Sequence, residues 1–243
     1  MRTPHRGTAL LITCEHGGNT IPAEYRSLFR HHRDLLQTHR GYDPGALALA
    51  RAFSKAFKAE LVYSTTSRLL VELNRSQHHR QLLSDATRTL APDERERLLE
   101  RYYTPYRVRV EAWVAHAVAA GKRVLHISSH SFTPRLYGEV RRADIGLLFD
   151  PRRDLERKFC RTWQLALRDS HSAFIVRRNY PYRGTGDGLT TYLRKRHAQD
   201  RYAGVEIEVN QKFPLGNARV WRALRASLVA SLAQALETSG LIP

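Results

Sequence analysis

Ala9-Leu10-Leu11-Ile12 runs directly into Thr13-Cys14-Glu15-His16-Gly17-Gly18-Asn19. An apolar run that ends at once in a polar, glycine-containing cluster reads as a strand reaching the rim of a parallel sheet. That rim is where open α/β folds keep their sites. The pattern recurs twice downstream. Lys122-Arg123-Val124-Leu125-His126-Ile127 passes into Ser128-Ser129-His130-Ser131, and Ala203-Gly204-Val205-Glu206-Ile207-Glu208-Val209 passes into Asn210-Gln211. Two histidines and a carboxylate at the ends of different strands can converge in space although they are far apart in sequence. Three such endings in register point to an enzyme.

Outward from these runs, strands are expected over Thr8–Thr13, Glu60–Ser64, Leu69–Leu73, Arg123–Ser128, Asp144–Phe149, Ala173–Val176 and Gly204–Val209. Helices are expected over Pro44–Lys58, Asp93–Ala120, Leu155–Asp169, Thr190–Gln199 and Asn217–Thr238, the first capped by Asp43. Interleaved helices and strands imply mostly parallel pairing and an α/β sandwich. No repeat or linker divides the chain, so residues 1–243 are read as one domain. Arg178 to Gly188 is the longest turn-rich stretch and joins a strand to a helix, which makes it a substrate cover on the same rim. Its Gly184-x-Gly186-x-Gly188 lacks the spacing and the lysine of a phosphate loop, so nucleotide binding is not expected.

The chain has 243 residues, enough to bury a sheet between helical layers, and no apolar run approaches the roughly 20 residues of a membrane helix. Its basic start, Met1-Arg2-Thr3-Pro4-His5-Arg6, has no signal-peptide core behind it, and a cytoplasmic location is expected. Cys14 and Cys160 have no metal-ligand spacing and no disulfide is expected; Cys14 beside His16 reads as a small residue at a tight strand exit. The formal charge of +17 attracts anions, whether nucleic acid, membrane surface or a small carboxylate.

Taken together, Cys14-Glu15-His16-Gly17-Gly18-Asn19, Gly41-Tyr42-Asp43-Pro44-Gly45-Ala46, Ser67 to Arg75 (SRLLVELNR), Ser129-His130-Ser131-Phe132 and Glu206 to Gln211 resemble the N-formylglutamate amidohydrolase family in content and order. The family is more remotely similar to zinc carboxypeptidases and aspartoacylases, with which it shares an Asn-Arg pair, here Asn74-Arg75. The resemblance implies a phosphorylase/hydrolase-like three-layer α/β/α sandwich with a mixed, mostly parallel sheet, and zinc as the metal. It departs from the carboxypeptidase pattern at Asn19, where a His-x-x-Glu motif would place a glutamate ligand.

His16 and His130 are therefore the expected imidazole ligands, and the carboxylate ligand is either Asp43 or Glu15, with Asp43 preferred. Glu15 is adjacent to His16, and neighbours on extended backbone point to opposite sides. Asp43 reads equally as a plain helix cap. Glu208 matches the family's glutamate and is assigned the general base and acid. Glu206, two residues away on the same face, reads as a supporting group. Arg68, Asn74 and Arg75 are assigned to the substrate, because a guanidinium fork binds carboxylates and an amide fixes orientation. Arg183 and Arg194 are further carboxylate binders. The expected function is zinc-dependent cleavage of a small anionic N-acyl amino acid, N-formyl-L-glutamate by resemblance. Alternatives are an amidase of another N-acyl amino acid or peptide, or a nucleic-acid binder using Tyr102, Tyr103 and Tyr106.

Overall fold

The computed structural model describes residues 7–170 and 174–241. The first half of the chain contributes β1 (Thr8–Cys14), a 3₁₀ segment over Ala23–Phe29, α1 (Arg33–Leu36), α2 (Ala46–Phe57), β2 (Glu60–Tyr63), α3 (Pro92–Leu98) and α4 (Thr104–Ala119). The second half contributes β3 (Arg123–Phe132), β4 (Arg135–Leu136), β5 (Glu139–Val140), β6 (Ile145–Leu148), α5 (Asp154–Ser170), β7 (Val176–Arg178), α6 (Leu189–Arg196), β8 (Tyr202–Asn210) and α7 (Ala218–Thr238).

Six strands form one sheet in the order β2-β1-β3-β8-β6-β7. All neighbours pair parallel except β6 and β8, so the sheet is mixed and mostly parallel. Strand side chains alternate between faces, and the two faces differ in chemistry. Ile12, Leu125, Ile127, Val205, Ile207 and Val209 pack against α2, α5 and α7 through Leu49, Phe53, Phe159, Trp163, Leu228 and Leu232. Leu11 and Val124 pack the other way with Tyr103, Tyr106, Val110 and Val114 of the α4 stretch and Leu189 and Leu193 of α6. Two helical layers thus enclose the sheet. Residues that alternate with the apolar set on β3 and β8 are polar: His126, Ser128 and His130 on one strand, Glu206 and Glu208 on the other. Register places Ser128 opposite Glu206 and His130 opposite Glu208.

Three expected elements differ. Leu69–Leu73 is not a strand. Leu70 and Val71 are buried in a connector, and the Glu72 N–H bonds the Leu82 carbonyl across a loop. A short apolar run signals burial and does not by itself choose strand over buried turn. The helix expected over Asp93–Ala120 contains a π turn at Leu99–Tyr103, where the Thr104 N–H reaches the Leu99 carbonyl. Pro105 lacks the N–H that would continue the ordinary ladder, which accounts for the defect. The strand expected over Ala173–Val176 begins at Val176 instead, and Ala173 lies outside the described residues, as do Met1 to Arg6.

His126 is fully buried, with Nε2 2.7 Å from Thr13 Oγ1 and Nδ1 2.7 Å from the Tyr202 hydroxyl. Burial lowers its pKa from 6.5 to about 4, only partly opposed by Glu15. The folded state therefore binds this proton more weakly than the unfolded chain. The neutral imidazole's contribution is complete above pH 6.5 and is lost as pH falls toward 4, on the order of 3 kcal/mol in all. Urea midpoints measured across this window are expected to fall less steeply for His126→Gln than for the parent. Parallel acid slopes would show that His126 titrates alike in both states.

Candidate active site

β1 delivers His16 onto the rim through a tight turn. The Gly17 N–H bonds the Ser64 carbonyl at 3.0 Å, and a side chain at Gly17 or Gly18 would meet backbone oxygen at 2.8 or 2.6 Å. Only glycine permits that approach. The His16 carbonyl accepts the Asp43 N–H at 2.9 Å, which brings the loop before α2 alongside. Asp43 does not cap that helix with its side chain: α2 begins after Gly45, whose φ is +81°, and the Asp43 carboxylate turns into the site. There Asp43 Oδ2 lies 2.9 Å from His130 Nδ1 and 3.2 Å from His16 Nδ1. One ligand atom each from His16, Asp43 and His130 fall within 4.8 Å of one another, and all three residues are buried. Among the described residues this is the only such trio that could hold a metal ion.

Each imidazole has a second carboxylate behind it. Glu72 Oε1 contacts His16 Nε2, while Glu72 Oε2 accepts from Arg68 Nε at 2.8 Å. Glu15 Oε2 lies 3.1 Å from His130 Nε2. Glu15 thus stands on the far side of His130 from Asp43 and is not in the trio. Both carboxyls stay well below the usual range despite burial, Glu72 through Arg68 and His16, Glu15 through His130. Sequence reasoning gave Glu72 no role. The available signal was a lone acid within the apolar run Leu69–Leu73, since a buried carboxylate requires a partner.

A cavity of about 320 Å³ opens onto the trio and is also lined by Arg68, Asn74, Arg75, Tyr182, Arg183, Glu206 and Glu208. Glu208 is buried, and among the described residues its Oε2 has no hydrogen-bond partner. Burial pushes its carboxyl up to about 8, with His130 pulling against the shift and Asp43 adding to it. Glu206 accepts the Thr190 hydroxyl at 2.6 Å and is anchored to α6.

Four of the five residues assigned to substrate, Arg68, Asn74, Arg75 and Arg183, reach this cavity but differ in freedom. Arg68 is engaged by Glu72 and, at 3.3 Å, by Asp43 Oδ1. Asn74 Oδ1 accepts the Leu189 N–H at 2.7 Å, and its Nδ2 lies 3.5 Å from His130 Nε2. The Arg75 guanidinium donates to the Asp187 carbonyl, and Arg183 is exposed. Among the described residues neither Arg75 nor Arg183 has a carboxylate partner. Arg194 does not line the cavity; it is buried against Glu156 at 3.0 Å. Cys14 is buried and its thiol is pushed well up by burial, which removes it as a nucleophile.

Residues 8–214 match the family model described as N-formylglutamate amidohydrolase. A solved gene product of Agrobacterium tumefaciens is 32% identical, with a TM-score of 0.81 over 96% of this chain and 92% of that one. An N-formylglutamate amidohydrolase from Ralstonia eutropha JMP134 shares the fold at 21% identity, with a TM-score of 0.72 over 98% and 97% of the two chains. No curated protein matches. With the family model spanning all the strand endings that build the cavity, the chain belongs to the N-formylglutamate amidohydrolase family.

Proposed function

We propose that this amidohydrolase uses zinc to cleave N-formyl-L-glutamate into formate and glutamate. The observation that carries the reading is the buried His16–Asp43–His130 trio sharing one cavity with Glu208, whose Oε2 has no hydrogen-bond partner among the described residues. Two imidazoles and one carboxylate are a donor set that catalytic zinc takes, and an orphaned carboxyl oxygen beside them suits a site that also receives water. When bound, the ion supplies Lewis acidity toward the formyl carbonyl and toward water. Glu208 takes the proton of the attacking water and returns it to the leaving nitrogen. A carboxyl held near neutrality by burial is suited to both transfers.

The substrate has two carboxylates, and Arg75 and Arg183 are the two cavity guanidiniums without an acidic partner. They are assigned one carboxylate each. Arg68 instead steadies Asp43 and Glu72, and Asn74 ties the Arg75 segment to α6 while its amide nitrogen faces the site.

The test is formate release from N-formylglutamate, abolished by a chelator and restored by zinc. In the same assay Arg75→Ala is expected to lose about 10- to 100-fold in kcat/KM, the worth of one charge-assisted hydrogen bond. The loss on an N-formyl amide without carboxylates should be much smaller, and lysine should restore only part. Equal losses on both substrates would leave Arg75 a structural tie to Asp187 and remove its substrate role.

A further inference from the structure

Glu15 is an unusual place for charge. It is fully buried, behind the metal-binding trio and outside the cavity, and its carboxylate is met by two hydroxyls and an imidazole nitrogen. The Tyr106 hydroxyl, from α4, donates to Oε1 at 2.9 Å, and the Ser128 hydroxyl, from β3, donates to Oε2 at 2.7 Å. His130 Nε2 lies 3.1 Å from the same Oε2 and 2.9 Å from Ser128 Oγ.

These contacts decide that Nε2 carries a proton. An ionised carboxylate only accepts hydrogen bonds. The Ser128 proton is committed to Glu15, so Ser128 Oγ presents a lone pair to the ring. A bare Nε2 would therefore face two acceptors at close range. Among the described residues the one donor on that side, Asn74 Nδ2, is 3.5 Å away, the limit of hydrogen-bond distance. Nε2 must carry a hydrogen, while Nδ1, which faces Asp43 Oδ2 at 2.9 Å, is the nitrogen at which a metal would take the place of a proton.

We infer that Glu15, held by Tyr106 and Ser128, is a positioning residue that locks His130 with Nε2 protonated and Nδ1 presented to the metal position. The inference rests on the metal reading above for its consequence and on the hydrogen-bond geometry alone for its cause. Carboxylates behind ligating histidines fix ring orientation and raise ligand basicity, and losing one costs about 10- to 100-fold in metal affinity or activity. Glutamine at this position would remove the charge behind His130 and put an amide N–H where a carboxylate oxygen accepts.

The experiment takes the parent, Glu15→Gln and Tyr106→Phe through two measurements. Proton and nitrogen NMR of the His130 ring should show, in the parent, a hydrogen-bonded Nε2 proton far downfield, with or without zinc. It should move upfield or exchange away in Glu15→Gln, and move less in Tyr106→Phe, which removes one support of Glu15 but keeps the ring. Competition with a zinc chelator should raise the zinc dissociation constant about 10- to 100-fold in Glu15→Gln and by less in Tyr106→Phe. A parent spectrum with His130 Nε2 unprotonated overturns the inference. So does unchanged zinc affinity in folded Glu15→Gln. Should that variant not fold, Tyr106→Phe decides: an unmoved Nε2 proton with unchanged affinity counts against Glu15. A parent that binds no zinc would defeat the proposed function, while the NMR signal would still decide whether Glu15 orients His130.

Discussion

Glu208→Gln is expected to lower turnover of N-formylglutamate by about 10²- to 10⁴-fold while leaving fold, metal content and KM close to those of the parent. Glutamine keeps the volume and one carbonyl oxygen but cannot accept and return a proton. The loss corresponds to about 3–5 kcal/mol of transition-state stabilisation. The side chain is well suited to show it cleanly. Glu208 Oε2 makes no hydrogen bond to any described residue, so substitution breaks no such contact there. Removing a buried carboxyl that burial already pushes toward protonation should not destabilise the fold. The decisive measurements are kcat with metal analysis of the same sample. Loss of the metal along with activity would make Glu208 a ligand and leave the proton transfer to another group, with Glu206 the nearest carboxylate on that strand.

The strand endings were the most legible part of the sequence. Alternation along β3 and β8 puts His130 and Glu208 on one face regardless of distant contacts, and Glu15, just past β1, lies on that same face, where it meets Ser128 and His130. Asp43 could be found but not distinguished from a cap, because the decision lies in a φ of +81° at Gly45 that frees its side chain. What escaped reading depends on contacts between segments far apart in the chain. Arg68 looked free beside an apolar run, and it is committed because Glu72 folds back onto it from four residues on. Leu69–Leu73 looked like a strand because its residues are buried, yet they fill the core from a turn. Tyr103 and Tyr106 are buried toward the sheet, and Tyr102 bonds Glu24, so these tyrosines do not offer the stacking surface a nucleic-acid reading required.

Arg194 separates a structural role from a binding role most sharply. Its guanidinium reaches Glu156 Oε1 and Oε2 at 3.0 and 3.1 Å, the Gly204 carbonyl on β8 at 2.7 Å, and the Gly184 carbonyl in the loop carrying Tyr182 and Arg183. Glu156 is fully buried and also accepts the N–H groups of Asp150 and Gly204 at 2.8 and 3.0 Å. Burial pushes its carboxyl up, chiefly against the pull of Arg194. Arg194→Met is therefore expected to cost about 3–5 kcal/mol, because it strands a buried carboxylate. The lower end is favoured, since Arg153 stands 3.4 Å from Glu156 and keeps a cation nearby. For a chain of this size that is a fall of about 10 °C in Tm. The double variant Glu156→Leu with Arg194→Met should recover part of the loss, as it leaves no charge unpaired. KM should rise as well, because the loop loses its anchor at Gly184. A carboxylate-binding role would instead raise KM with Tm unchanged. Thermal unfolding of the two variants, set beside their KM values, decides which account of this arginine holds.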